Sequence, residues 1–136
     1  MLRGWVDEST GRLLAGTAAI TDARARLQDA AAFLEAAKCL QDPDVIATNA
    51  IHAAIAAADA TCCVALRERS ADGNHAAAIE LLGRVDKSLS AALKRALDRK
   101  NQAAYESRDI SVSDAKMCVR QAELLVAAAR RRVISS

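Results

Sequence analysis

The chain has 136 residues, of which 52% are hydrophobic and only 2% aromatic, and its formal net charge is +2. This length suits one domain with a hydrophobic core, and the small net charge excludes a general electrostatic attraction to nucleic acid. Thirty-three residues are alanine, which has the highest helix propensity and lets helices approach closely. We therefore predict an all-α fold, an up-and-down bundle of four to five helices, and exclude β-sandwiches and β-barrels.

The N-terminal segment is the least regular part of the sequence, because glycines at positions 4, 11 and 16 interrupt it. We assign residues 1–20 to an N-terminal arm or helix extension and residues 21–136 to the helical-bundle domain. The first helix is predicted over 21–41, where apolar residues recur at steps of three and four. The same stripe, continued upstream, allows an alternative start near Ser9.

The second helix is predicted to run from Asp44 to about Arg69, because the preceding aspartate–proline pair is a strong helix start. Its middle is apolar nearly all round, which is typical of a helix enclosed by neighbours. Asn49, His52 and Asp59 nevertheless follow one narrow stripe. A polar stripe on a buried helix predicts a second surface, a subunit contact or a cleft, so we assign these three residues to an interface.

The C-terminal half is predicted to contain two long helical segments. Residues 75–106 form either one bent helix or two helices separated near Gly83. Ser111 and Asp114 have the spacing of a capping box and begin the last helix, which has the cleanest amphipathic pattern in the chain. The arginines at 130–132 suit the final turn of that helix, where cations are favourable.

Most catalytic and metal-binding patterns are missing from the sequence. It contains no glycine-rich phosphate loop, no H-E-x-x-H, no G-x-S-x-G and no Glu-x-x-His. The four cysteines form no C-x-x-C pair, and the adjacent Cys62 and Cys63 point to different sides of any helix that carries them. We therefore expect no metal, no cofactor and no disulfide, with the thiols acting as small buried hydrophobic groups.

The sequence carries no signal for a membrane or for secretion. The longest uncharged run lies between Asp44 and Asp59 and has 14 residues, whereas a membrane-spanning helix needs about 20 apolar residues. The first residues lack the basic and apolar order of a signal peptide. We therefore expect a cytoplasmic protein without membrane contact.

The order of helices, loop and polar residues over about residues 21–133 resembles the HEPN superfamily (higher eukaryotes and prokaryotes nucleotide-binding). An alanine-rich second helix is followed by a loop, and His75 opens the next helix. Lys100, Asn101 and Tyr105 then stand near the end of the third long segment, before a serine-capped final helix. The resemblance implies an all-α bundle that forms a homodimer.

The resemblance also implies a catalytic position at Lys100, Asn101 and Tyr105. Active members are metal-independent ribonucleases that use an arginine and a histidine four to six residues apart, where this sequence has Lys100 and Tyr105. A lysine lacks the bidentate fork of arginine, and a tyrosine side chain is generally a poorer base than histidine near neutral pH. We therefore expect absent or weakened ribonuclease activity. The resemblance allows RNA as a ligand, and the sequence contains no DNA-binding motif.

Two functions are consistent with these residues. In the first, the resemblance implies a prokaryotic toxin–antitoxin or related two-gene module, in which a nucleotidyltransferase partner adds AMP to Tyr105. In the second, the chain is a non-catalytic dimeric scaffold or regulator that holds a partner protein through Asn49, His52, Asp59 and Lys100. A simpler interpretation of Tyr105 is an amphipathic side chain at a helix end, with its hydroxyl group in water.

Overall fold

A computed structural model describes residues 12–13, 16–70 and 74–136 of the chain. The all-α prediction is confirmed, because five helices form an up-and-down bundle and the strands of the described part are only two residues long. The elements, in chain order, are β1 (Arg12–Leu13), α1 (Gly16–Cys39), α2 (Pro43–Leu66), β2 (Glu68–Arg69), α3 (His75–Gly83), α4 (Lys87–Tyr105) and α5 (Val112–Ser135).

Helix α1 begins at Gly16, between the two starts predicted for it. Most of the predicted N-terminal arm, residues 1–11 and 14–15, lies outside the described residues. Of its described residues, 16–20 belong to α1, and β1 pairs antiparallel with β2, so that Arg12 is opposite Arg69 and Leu13 is opposite Glu68. This pairing places residues 12–13 next to the end of α2.

Helix α2 begins where the sequence predicted and ends earlier. Asp42 caps it by accepting a hydrogen bond of 3.0 Å from the backbone N–H of Asp44. At the other end Arg67 adopts a left-handed conformation, with φ at 58°, and its N–H donates to the carbonyl of Cys63. This left-handed residue stops the helix, and the two residues that follow form β2 instead.

The predicted helical segment over residues 75–106 forms two helices, α3 and α4, and not one bent helix. The carboxylate of Asp86 caps α4 by accepting hydrogen bonds from the backbone N–H groups of Ser88 and Leu89, at 2.8 and 3.1 Å. Ser90 then donates a hydrogen bond of 2.7 Å to the carbonyl of Ile79, which fixes α4 against α3. A Cβ atom at Gly83 would lie 3.4 Å from Ser90 Oγ, so the glycine accommodates this close approach.

Helix α2 is the centre of the bundle and packs against each of the other four helices. Its buried surface is made mainly of alanines that are at most 2% exposed: Ala47, Ala50, Ala53, Ala54, Ala56, Ala57, Ala58 and Ala60. Short side chains on such a surface allow neighbouring helices to pack closely, which suits the central position of α2. By length and hydropathy alone α2 could cross a membrane, but 67% of its most apolar stretch is buried, which is typical of a central bundle helix.

The capping box predicted for α5 is present. The N–H of Asp114 donates to Ser111 Oγ at 3.0 Å, and the Asp114 carboxylate accepts from the Ser111 N–H. Arg108 also donates to this carboxylate at 3.1 Å, and that contact is the main cause of a lowered pKa for Asp114. The start of α5 is thereby tied to the loop before it.

Three of the four cysteines are buried, and Cys39 is exposed. The prediction of buried thiols is therefore confirmed for Cys62, Cys63 and Cys118 and is wrong for Cys39, because α1 ends there at the surface. Burial is the main cause of a raised pKa for all three buried thiols, to about 12 for Cys62 and about 11 for Cys118.

We expect only Cys39 to react with an aromatic disulfide reagent in the folded protein, because the reactive form of a cysteine is the thiolate and access is needed. Absorbance should report one equivalent of released thiol in buffer and four in denaturant. A second equivalent that reacts rapidly in buffer would mean that a thiol of α2 or α5 is accessible, which would contradict the packing of these helices. The control is Cys39→Ser, in which no thiol should react rapidly in buffer.

Candidate binding surface on helix α2

The polar stripe predicted on α2 divides into an exposed part and a buried part. His52 is exposed and Asn49 is half-buried, whereas Asp59 is only 4% exposed. The Asn49 side-chain amide donates a hydrogen bond of 2.9 Å to the carbonyl of Val45, so this side chain lies along the helix. The N-terminal end of the stripe, at Asn49 and His52, therefore faces solvent, whereas Asp59 lies inside the bundle.

Asp59 belongs to a network of charged side chains between α1, α2 and β2. Arg26 donates to its Oδ2 from Nε at 3.1 Å and from Nη2 at 2.9 Å. Arg69 lies 3.8 Å from the same oxygen and forms a second ion pair, of 2.8 Å, with Asp22. These contacts explain how a carboxylate is accommodated in the core.

Lys100 continues the buried stripe of α4 toward α2. It is half-buried, and its Nζ donates to Thr48 Oγ1. The Thr48 hydroxyl in turn donates a hydrogen bond of 2.9 Å to the carbonyl of Asp44. Beyond Lys100 the buried stripe continues at a step of three, so Ala103 is buried and Ala104 is exposed.

The His52 imidazole contacts the ring of Phe33 and is influenced by the charges of Lys100 and His75. Its ring packs edge-on against Phe33 of α1, with the ring centroids 5.1 Å apart and an interplanar angle of 64°. Partial burial lowers the pKa of His52 from its usual 6.5, and the positive charges of Lys100 and His75 lower it further. The imidazole is therefore held in its neutral form near pH 7.

These contacts define the α2 surface. It consists of Phe33, Thr48, Asn49, His52 and Lys100. Three of the residues were predicted from the sequence, and Asp59 is not part of the surface. Thr48 could have been found because it stands one turn before His52 on the same helix face. Phe33 is supplied by the packing of α1, which no local spacing indicates.

Asn101 and Tyr105, the other residues of the predicted catalytic position, do not join Lys100. Asn101 is exposed, and Tyr105 is 91% exposed at the last residue of α4. Five residues on a helix correspond to a rotation of roughly 140° at 3.6 residues per turn. Lys100 and Tyr105 therefore point to different sides of α4.

Acidification tests the environment of His52. Because folding lowers its pKa, protonation favours the unfolded chain, so this contribution to stability is complete above about pH 6.5 and is lost as the pH falls through the folded-state pKa. An NMR titration of the imidazole should give a midpoint below 6.5 that rises in Lys100→Met. The matched change Lys94→Met on the exposed side of α4 should leave it in place, and equal midpoints in all three proteins would contradict this environment.

Within the described residues, no group of three or more His, Cys, Asp or Glu side chains is placed to hold a metal ion. The fold and this surface together define an all-α, up-and-down helical bundle with a polar surface on its central helix. No family model matches the chain, and no characterised protein or solved structure matches it either.

Proposed function

We propose that the chain is a non-catalytic helical module that forms a homodimer through the α2 surface. The observation that carries this proposal is the separation of Lys100 from Tyr105 around α4, together with the Lys100–Thr48 hydrogen bond. General acid–base catalysis needs groups that converge on one reacting atom. A lysine that points to α2 and a tyrosine that points to solvent cannot do so within one chain.

The chemistry of the α2 surface favours a protein ligand. The edge-on Phe33–His52 ring pair supplies an aromatic contact, and Val45, at 40% exposed, adds an apolar side chain on α2. The hydrogen-bonding groups of Asn49 and Thr48 are already directed to backbone carbonyls. With a net charge of only +2 on the whole chain, a second copy meets little overall repulsion.

Oligomeric state tests the dimer directly. Sedimentation equilibrium should give a dimer for the wild type and a monomer for His52→Arg. The arginine side chain is larger than histidine, and it adds a positive charge to a surface that already contains Lys100. Ala32→Arg, at an exposed position of α1, is the matched control and should remain dimeric. A wild-type monomer at every concentration, or equal association of all three proteins, would overturn the dimer.

An RNA cleavage assay without divalent metal tests the non-catalytic part. We expect no hydrolysis above a buffer control by the wild type, Lys100→Ala or Tyr105→Phe. Cleavage by the wild type that both variants abolish would instead support a weakened HEPN ribonuclease and contradict the proposal. Cleavage that all three retain at equal rate would indicate a contaminating nuclease, which a repeat purification removes before the assay is read.

A second function is favoured by the exposure of Tyr105. It is the single tyrosine of the chain and is 91% exposed, as an acceptor of a nucleotidyl group must be. In this proposal the chain is the HEPN-like member of a prokaryotic toxin–antitoxin pair. A partner nucleotidyltransferase directs the Tyr105 oxygen onto the α-phosphorus of ATP, a P–O bond forms, pyrophosphate leaves, and the phenolic proton passes to a base of the partner.

Mass spectrometry separates the two functions. Incubation with a minimal nucleotidyltransferase encoded beside this chain, ATP and Mg²⁺ should add one AMP to the wild type and none to Tyr105→Phe. The dimer proposal does not require this modification. A Tyr105 that never gains a nucleotide would reject the second function and leave the first intact.

A further inference from the structure

A groove of about 350 Å³ lies at the end of the bundle where α1 finishes and α2 and α5 begin. It is separate from the α2 surface and shares no residue with it. Its larger apolar side chains are aliphatic and come from the loop after α1 and from the first turns of α2 and α5: Leu40, Pro43, Ile46, Val112 and Val119. Leu40 and Val112 are 39% and 58% exposed, so the apolar lining is open to an incoming ligand.

The charges around this groove have one sign. The charged residues that line it are Lys38, Lys116 and Arg120, and none of the described lining residues is acidic. Lys38 forms an ion pair of 3.0 Å with Glu123. Lys116 and Arg120 have no ion-pair partner within the described part of the chain. One turn of α5 therefore presents two uncompensated cations beside an aliphatic groove.

We propose that this groove binds a single-chain aliphatic carboxylate, with the alkyl chain against Leu40, Ile46 and Val112 and the carboxylate between Lys116 and Arg120. The volume lies in the range of small-molecule sites, which are mostly apolar with a few placed polar groups. The lining contains no aromatic side chain on which a ring or a base could stack. Unpaired cations at one edge fit an anionic head group, and an aliphatic lining fits an alkyl chain.

Calorimetric titration of the full chain with octanoate, decanoate and dodecanoate, each below its micelle concentration, tests this assignment. We expect affinity to rise about fourfold for each added methylene until the groove is filled, since burying one methylene contributes about 0.8 kcal/mol. Decanol should bind more weakly than decanoate, and a decyl trimethylammonium ion should bind more weakly still, because it meets the two cations.

Charge reversal provides the matched variants. Lys116→Glu combined with Arg120→Glu should weaken decanoate binding about tenfold, the scale of two partly exposed ion pairs. Arg130→Glu combined with Arg131→Glu, at exposed positions of the far end of α5, should leave the affinity unchanged. Circular dichroism confirms that both double variants remain helical.

Three results would overturn the assignment: no saturable binding of any carboxylate, equal binding of the alkyl ammonium ion, or equal weakening by both double variants. An acidic amphipathic peptide that binds at Lys116 and Arg120 while the carboxylates do not would also overturn it. In that case the groove would belong to a protein partner.

Discussion

Replacing Ala57 with leucine is expected to lower the free energy of unfolding by about 1–3 kcal/mol, the usual cost of inserting extra carbon atoms into a packed core. Ala57 is fully buried on α2, which every other helix contacts. The leucine side chain therefore has to displace a neighbouring helix or adopt a strained rotamer. Urea unfolding followed by circular dichroism measures the change.

Ala65→Leu is the control for this substitution. Ala65 lies on the same helix but is exposed, and leucine has nearly the helix propensity of alanine, so we expect a change of less than about 0.5 kcal/mol. Equal stability of the two variants would mean that the neighbouring helices do not pack on the alanine face of α2. The same result would also remove the reason for the alanine-rich composition.

Replacing Asp59 with asparagine is expected to cost about 3 kcal/mol, the lower end of the range for removing one partner of a buried ion pair. The Asp59 side chain is 6% exposed and holds Arg26, which is 22% exposed, so loss of the carboxylate leaves a half-buried guanidinium without its main partner. The lower end applies because Arg26 retains contact with water. Urea unfolding again provides the measurement.

Asp29→Asn is a matched control because it removes the other carboxylate bonded to Arg26. The Arg26–Asp29 distance is also 2.9 Å, but the Asp29 side chain is 53% exposed. We expect a change of about 0.5 kcal/mol or less, as for a surface ion pair. If Asp59→Asn left stability unchanged and abolished dimer formation instead, Asp59 would be an interface residue, as its position on the stripe first indicated.

Local signals predicted most of the fold. The Asp42 cap, the Ser111–Asp114 capping box and the alanine-rich middle of α2 each depend on residues a few positions apart, and all three are present. The separation of α3 from α4 stayed an open alternative. It depends on the Asp86 cap and on the Ser90 contact with α3, and the second of these is tertiary.

The candidate site was only partly predictable, for a physical reason. Helical periodicity places Asn49, His52 and Asp59 on one stripe, but it does not say which end of the stripe a neighbouring helix covers. The pairing of Asp59 with Arg26 joins residues 33 positions apart, and the contact between Phe33 and His52 joins two helices. Such contacts are set by the packing of the bundle and leave no regular spacing in the sequence.

The location of the dimer contact is tested most directly by two-dimensional amide NMR spectra of the wild type over increasing protein concentration. The amides of Thr48, Asn49, His52 and Lys100 are predicted to shift together with concentration, while those of Lys116 and Arg120 stay in place. Spectra that do not change while the protein remains monomeric, or shifts confined to α5 or Tyr105, would contradict the α2 surface as the site of association.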